Sequence, residues 1–139
     1  MTASLPTPEP IITPETAPMW SGANEGRLVL PQCDHCHRYI WYPRAICGHC
    51  SAMELTWRAV SGKGTVYSYT VVRRGIGDYR ACTPYVVAYV ELDEGPRMMT
   101  NLVDCDIDEI AIGVPVEVVF HKAESGQALP RFRPARTAL

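Results

Sequence analysis

Three features that would place a protein in a membrane or outside the cell are missing from this 139-residue sequence. Its apolar runs all fall short of the ~18 residues that a membrane-spanning helix requires, and neither end carries a lipidation motif. Residues 1–20 have neither the basic start nor the apolar stretch of a secretory signal peptide. We therefore expect a cytoplasmic protein without a membrane partner.

A surplus of basic residues is also missing. The sequence has 13 Lys and Arg against 15 Asp and Glu, which gives a formal net charge of −2. Proteins that bind nucleic acid or anionic membranes through their overall charge usually carry a basic surplus. We therefore expect no nucleic-acid partner.

Cysteine is present in a pattern that indicates metal binding. Two CxxC pairs, Cys33 with Cys36 and Cys47 with Cys50, are separated by ten residues. Two such turns that face each other offer four thiolates in the tetrahedral arrangement that zinc prefers, and no coordination position is left for water. The pattern therefore predicts a structural Zn²⁺ site.

Other uses of these cysteines remain as alternatives. Disulfides would suit a secreted chain, and a redox-active pair would open a helix after a strand, whereas both pairs lie in turn-rich sequence. Iron in a rubredoxin-like site would use the same four thiolates, and residue type does not distinguish it from zinc. His35, His37 and His49 could replace a thiolate, but with four cysteines present we expect them to be solvated or to support the ligands.

The first half of the chain divides by composition into three segments. Residues 1–15 are rich in proline and poor in large apolar groups, so we expect a mobile arm. Residues 16–27 are predicted to form a helical segment, with Thr16 as its N-cap and Pro18 in its first turn. Residues 28–56 are predicted to form the zinc ribbon, with an apolar, β-like segment at residues 39–42 between the two cysteine turns.

Residues 57–135 show the alternation of a small β-domain. Strand patterns cover residues 65–72, 85–92, 97–103 and 114–120, and a weaker pattern covers 129–132. Gly62 and Gly64 suggest a bulge or bend before the first strand. A single helical turn is expected at residues 106–110. The fold predicted from these patterns is mainly β, with a short helix, a zinc ribbon and a five-stranded Greek-key barrel of the OB-fold type.

The order of short motifs carries a family resemblance over residues 16–135. These motifs are Trp20 with Gly26-Arg27-Leu28, the two CxxC pairs with Tyr42-Pro43-Arg44 between them, Ser61-Gly62-Lys63-Gly64-Thr65-Val66-Tyr67-Ser68, Asn101-Leu102-Val103-Asp104-Cys105, Ile112-Gly113-Val114-Pro115-Val116-Glu117-Val118 and Pro130-Arg131-Phe132-Arg133-Pro134. The chain resembles the acyl-CoA-associated OB-fold proteins that carry a rubredoxin-like zinc ribbon. Two positions depart from the pattern, because His37 and Ser51 stand where such cysteine turns often have glycine.

The resemblance implies a function as well as a fold. In that family the small protein is a non-catalytic subunit that completes or bridges a thiolase-like enzyme acting on acyl-CoA, and helps to hold coenzyme A. The leading hypothesis is therefore an accessory subunit of a thiolase-type complex. A nucleic-acid-binding module is the alternative, because zinc ribbons and OB-folds both serve that purpose.

The residues themselves suggest no catalytic centre. Cys82, Cys105 and His121 fall on different predicted elements, and a nucleophile needs a base beside it. Arg80 could activate Cys82, which leaves an independent CoA-dependent enzyme as a third hypothesis. We expect no catalytic residue.

Two sets of residues are candidates for binding. Lys63, Arg73 and Arg74 belong to a basic stretch and could hold the phosphates of coenzyme A or an acyl-CoA, because guanidinium groups bind phosphate in a bidentate manner. Large aromatic residues, Trp20, Trp41 and Tyr42, could anchor a protein partner.

Overall fold

A computed structural model describes residues 5–136 and confirms the mainly β fold. One helix, α1 (Ala17–Asn24), precedes a two-stranded sheet of β1 (Val29–Cys33) and β2 (Leu55–Ala59). Five further strands form a closed barrel: β3 (Lys63–Val72), β4 (Tyr85–Leu92), β5 (Arg97–Leu102), β6 (Pro115–Lys122) and β7 (Ala128–Pro134). Short 3₁₀ turns occupy Gly77–Cys82 and Ile107–Glu109.

Helix α1 begins where the sequence predicts, but its cap differs. Thr16 is the N-cap residue and a proline stands in the first turn. The Thr16 hydroxyl makes no bond to the helix; it accepts instead from the backbone amide of Thr13 at 3.1 Å. The helix buries Met19 and Ala23 against the rest of the molecule. The capping position is therefore confirmed, while the hydroxyl serves the preceding turn.

The two-stranded sheet places the first cysteine turn. β1 and β2 are antiparallel over their full length, from Val29 opposite Ala59 to Cys33 opposite Leu55. β2 spans residue 57, where we expected the ribbon to end and the barrel to begin. The β-like prediction for residues 39–42 is wrong, because only Tyr39 forms an isolated bridge. The chain must turn there to bring the second cysteine pair beneath the first.

The barrel has the strand order β3-β4-β5-β7-β6. All neighbours are antiparallel except β5 and β7, which pair in parallel at Leu102 and Phe132 alone. The bulge lies between Val66 and Ser68, inside β3. We expected it at Gly62 and Gly64, whose role is different: a side chain at Gly64 would collide with the backbone of β4.

One principal core joins the barrel to the helix and the two-stranded sheet. Its centre is formed by fully buried barrel residues that include Phe132 and Val90. Met19 from α1 and Leu30 from β1 pack in the same cluster. The ribbon has a second, smaller cluster around its buried cysteines.

Residues 5–9, within the segment for which we expected a mobile arm, lie against the barrel. Glu9 accepts hydrogen bonds from Ser125, and Arg131 donates to the carbonyl of Pro6. Residues 1–4 of the same segment lie outside the described residues. Within residues 5–136, no helix is long and apolar enough to cross a membrane.

Candidate metal centre and binding surfaces

The four cysteines of the two CxxC pairs converge at one point. Cys33 ends β1, Cys36 follows in the next turn, and Cys47 and Cys50 come from the second turn. All four sulfur atoms lie within 4.8 Å of one another, with 3.5 Å between Cys33 and Cys50 and 3.7 Å between Cys36 and Cys47. A tetrahedral ion with metal–sulfur bonds of ~2.3 Å requires sulfur atoms about 3.8 Å apart. The spacing therefore fits a four-thiolate zinc site.

The two cysteine turns have the same backbone geometry. His37 and Ser51 both adopt a φ of 65°, in the left-handed region that favours glycine. Their amides donate to the carbonyls of Cys33 and Cys47, in each case at 2.9 Å. The non-glycine residues are therefore accommodated without loss of the turn.

Backbone amides also point at the sulfur atoms. The Cys36 amide lies 3.4 Å from the Cys33 sulfur, and the His49 amide lies 3.3 Å from the Cys47 sulfur. Such hydrogen bonds stabilise the thiolate over the thiol. They are the donors expected around a cluster of metal-binding thiolates.

The pKa values of Cys47 and Cys50 are shifted in opposite directions. Burial raises the pKa of Cys47, but hydrogen bonds from the amides of His49 and Cys50 outweigh it and lower the pKa to about 6. A hydrogen bond from the backbone amide of Ala52 lowers the pKa of Cys50, but burial and the neighbouring thiols outweigh it and raise the pKa to about 12. Four thiolates this close repel one another unless a cation neutralises them, so a divalent metal ion would displace the remaining protons.

The nearby histidines do not join the sulfur cluster. The side chains close enough to hold one ion, within residues 5–136, are the four cysteines alone. The Nδ1 atom of His49 accepts instead from Arg38 at 3.2 Å. A closed shell of four sulfurs supports a structural metal ion rather than one that activates water.

The three residues proposed for coenzyme A do not form one cluster. Lys63 is at the first position of β3, whereas Arg73 and Arg74 follow its last position. A ten-residue strand spans about 30 Å, so Lys63 is too distant to share a phosphate with the two arginines. Arg73 and Arg74 are neighbours, and both are exposed.

The side chains considered for catalysis lie closer together than the sequence suggests. Cys82, Cys105 and His121 all line one cavity of about 640 Å³. The Cys82 thiol donates to the carbonyl of Tyr79, and His121 Nδ1 faces Arg131. Burial, followed by nearby acids, raises the pKa of Cys105. Neither thiol has a hydrogen-bonded base within the described residues.

The predicted aromatic anchors differ in their exposure. Trp20 and Trp41 are partly buried and pack against the principal core. Tyr42 is 43% exposed and meets the ring of Trp41 edge to face. Trp20 and Trp41 therefore stabilise the fold, and Tyr42 alone of the three offers a large free surface.

The barrel carries a second exposed aromatic surface, and the sequence reasoning missed two of its residues, Tyr89 and Met99. Tyr67 from β3, Tyr89 from β4 and Met99 from β5 are 47%, 47% and 59% exposed, and we call them the tyrosine face. Tyr89 stands directly opposite Met99, and the guanidinium of Arg97 lies 3.8 Å from the centre of the Tyr67 ring. The alternation of β4 could have revealed it, since Tyr89 lies between the buried Ala88 and Val90.

Family models match two consecutive parts of the chain. The rubredoxin-like zinc ribbon domain of ChsH2 matches residues 20–56, and the C-terminal OB-fold domain of ChsH2 matches residues 57–121.

Similar proteins are known from bacteria and archaea. A DUF35 domain-containing scaffold protein of Methanothermobacter thermautotrophicus is 41% identical over 102 residues, which are 72% of this chain and 77% of that protein. A probable enoyl-CoA hydratase alpha subunit of Thermomonospora curvata is 38% identical over 128 residues. That alignment covers 92% of this chain but only 40% of the longer relative.

A solved structure extends the similarity to the whole fold. The matching chain of the Ltp2-ChsH2(DUF35) aldolase superposes with a TM-score of 0.81 at 38% sequence identity. The superposition covers 92% of this chain and 100% of that chain. The protein therefore belongs to the DUF35 family, with a ChsH2-type zinc ribbon followed by an OB-fold domain.

Proposed function

We propose that this protein is a non-catalytic accessory subunit of a thiolase-type enzyme that acts on acyl-CoA. The observation that carries the proposal is its similarity, over the full length of the matching chain, to the DUF35 component of an aldolase. The names of two other relatives, a scaffold protein and a hydratase alpha subunit, are those of proteins that work within assemblies. The thiolase type of the partner rests on the motif resemblance alone.

The tyrosine face is the surface that we assign to the partner. Large aromatic and thioether side chains are enriched at protein interfaces, where they bury much area at little entropic cost. Tyr67, Tyr89 and Met99 lie on three adjacent strands. Tyr89 is directly opposite Met99 on one side and opposite Ser68, the residue after Tyr67, on the other. The cation of Arg97 above Tyr67 adds a polar rim.

Zinc has a structural role in this proposal. Cys33, Cys36, Cys47 and Cys50 hold one Zn²⁺, whose bonds add to the stability that the small apolar cluster of the ribbon provides. The ion supplies no chemistry to a substrate, because its four positions are filled by sulfur.

Coenzyme A or its acyl thioester is the ligand at the junction with the partner. Arg73 and Arg74 hold its phosphates, since each of these exposed guanidinium groups offers two parallel N–H donors. Lys63 lies at the opposite end of β3 and is too distant to bind the same phosphates.

Reconstitution tests the proposed function. This chain and a candidate thiolase-like subunit are purified separately and mixed, and both co-elution and acyl-CoA turnover are followed. We expect a stable complex whose turnover exceeds that of the partner alone, and no turnover by this chain alone. Full activity of the partner alone, or tight binding of this chain to a labelled oligonucleotide with no complex formed, would contradict the proposal.

A further inference from the structure

Arg131 carries a buried positive charge. It lies on β7 and is 5% exposed. One terminal nitrogen, Nη1, lies 3.1 Å from Nδ1 of His121, and the other, Nη2, donates to the main-chain carbonyl of Pro6. The ion pairs found within residues 5–136 do not include it. A desolvated guanidinium is costly unless an anion neutralises it, so this site is short of one negative charge.

The guanidinium lies behind the wall of the cavity of about 640 Å³, where it contacts His121 and Pro6. His121 lines this cavity, as do Leu5 and Thr7, which flank Pro6 on either side. Asp104 and Lys122 also line it and offset each other in charge. Among residues 5–136, Arg131 is therefore a buried positive charge beside the cavity that forms no ion pair.

Apolar side chains line another part of the wall. They include Val86, Leu102, Ile107 and Phe120. Cavities of ~300–1,000 Å³ with apolar walls and a few polar groups are typical of sites for small molecules. The combination of an apolar chamber and one unneutralised cation specifies a ligand that is apolar at one end and anionic at the other.

We propose that this cavity binds a small organic carboxylate with an apolar body. The carboxylate takes the place of the Pro6 carbonyl at Nη2 of Arg131, and the apolar body fills the chamber between β4, β5 and β6. A charge-assisted hydrogen bond to a carboxylate is about twice as strong as one to a neutral carbonyl. The ligand thereby supplies the anion that the buried guanidinium lacks.

The arm covers the site in the absence of a ligand. Leu5 and Thr7 line the cavity, and the carbonyl of Pro6 between them occupies Nη2 of Arg131. Two hydrogen bonds between Glu9 and Ser125 hold this part of the arm in place. The ligand and the arm compete for Arg131. Weakening the attachment of the arm should therefore increase affinity for the ligand.

This site is independent of the proposed accessory function. It uses neither the tyrosine face nor Arg73 and Arg74, and it requires no partner subunit. Loss of one proposal leaves the other intact.

The test is a titration of the zinc-loaded full chain, followed by calorimetry or by amide chemical shifts. Three probes separate the contributions: octanoate has both charge and tail, 1-octanol lacks the charge, and acetate lacks the tail. We expect octanoate to bind at least about tenfold more tightly than either of the others, since each lacks one of the two contacts. Equal affinity for octanoate and octanol, or no binding of octanoate, would overturn the proposal.

Two variants locate the site. Arg131→Gln should weaken octanoate binding by about tenfold or more, because the amide keeps hydrogen-bonding capacity but removes the charge. Glu9 lies outside the cavity. Glu9→Gln should strengthen octanoate binding several-fold, because it weakens the hydrogen bonds to Ser125 that hold the arm in place. If Arg131→Gln fails to fold, Glu9→Gln decides: unchanged or weaker binding in that variant refutes the competition between arm and ligand. A melting temperature and zinc content equal to those of the wild type establish that Glu9→Gln is folded.

Discussion

The Glu9 carboxylate binds the turn between β6 and β7 through Ser125, which is 116 residues away in sequence. The Ser125 amide donates to one carboxylate oxygen at 2.9 Å and the Ser125 hydroxyl donates to the other at 2.7 Å. The hydroxyl first, and then the amide, hold the pKa of Glu9 below its usual range. The position of the arm is therefore linked to the ionisation of one side chain.

We predict that acid releases the arm. A lowered pKa means that the attachment is fully present above the usual range of Glu, and is lost as the pH falls through the lowered pKa. Nuclear magnetic resonance of the Ser125 amide as a function of pH measures this directly. The Glu9→Gln variant should show no such transition, and a transition in the wild type at or above the usual pKa of Glu would contradict the prediction.

Replacing a zinc ligand should unfold the ribbon. Binding of a structural zinc ion contributes on the order of 10 kcal/mol to the folding of small zinc modules, so Cys47→Ser should lose the metal and much of the thermal stability. Metal analysis of freshly purified protein should give about one zinc per wild-type chain. Cys105→Ser is the matched control, because Cys105 lies outside the sulfur cluster. Normal metal content in Cys47→Ser, or iron in the wild type, would refute the assignment.

Truncation within the tyrosine face should weaken the proposed complex. Tyr89→Ala is expected to cost about 2 kcal/mol of binding free energy, or roughly 30-fold in Kd, because central aromatic residues dominate interfaces. The zinc content and fold should not change, because Tyr89 is half exposed. Tyr42→Ala changes the same residue type on the ribbon at 43% exposure. Loss of affinity in Tyr42→Ala alone would move the contact to the ribbon.

A methyl group at Gly64 should strain the barrel. A Cβ atom there would lie 2.3 Å from the carbonyl oxygen of Glu91 on β4, so one of the two strands must shift. We expect Gly64→Ala to lower the free energy of unfolding by about 3 kcal/mol in urea titrations. Gly126→Ala meets no atom within 4 Å, and only its φ of 95° opposes the substitution, at about 1–2 kcal/mol. Equal losses in the two variants would contradict the steric explanation.

Local patterns predicted the barrel strands well, because alternation of apolar and polar residues follows directly from the pleat. β4 was predicted with its observed bounds, and β3, β5, β6 and β7 within three residues at each end. β2 was not predicted as a strand. It has no clean alternation, since Leu55, Thr56 and Trp57 are all half-buried against β1. Its conformation depends on pairing with β1, which begins at Val29, 26 residues before the first residue of β2, Leu55.

The metal centre could be predicted from a local sequence pattern, whereas the cavity depends on contacts between residues that are distant in sequence. The cysteine cluster could be predicted because CxxC spacing is a local pattern that fixes ligand geometry. The cavity could not, because Cys82, Cys105 and His121 meet only when the barrel closes. The burial of Arg131 depends likewise on contact with the arm, and no short-range pattern indicates which of the two arginines on this face of β7 the arm covers.

The principal core crosses the line that divides the two family domains. Met19 and Leu30, which precede residue 57, pack with Phe132 at the centre of the barrel. A fragment that began at residue 57 would expose that part of the barrel and would remove the pairing partner of β2. Residues before position 57 therefore contribute to the stability of the barrel. We expect removal of zinc to destabilise the barrel as well as the ribbon, including the strands that carry the tyrosine face.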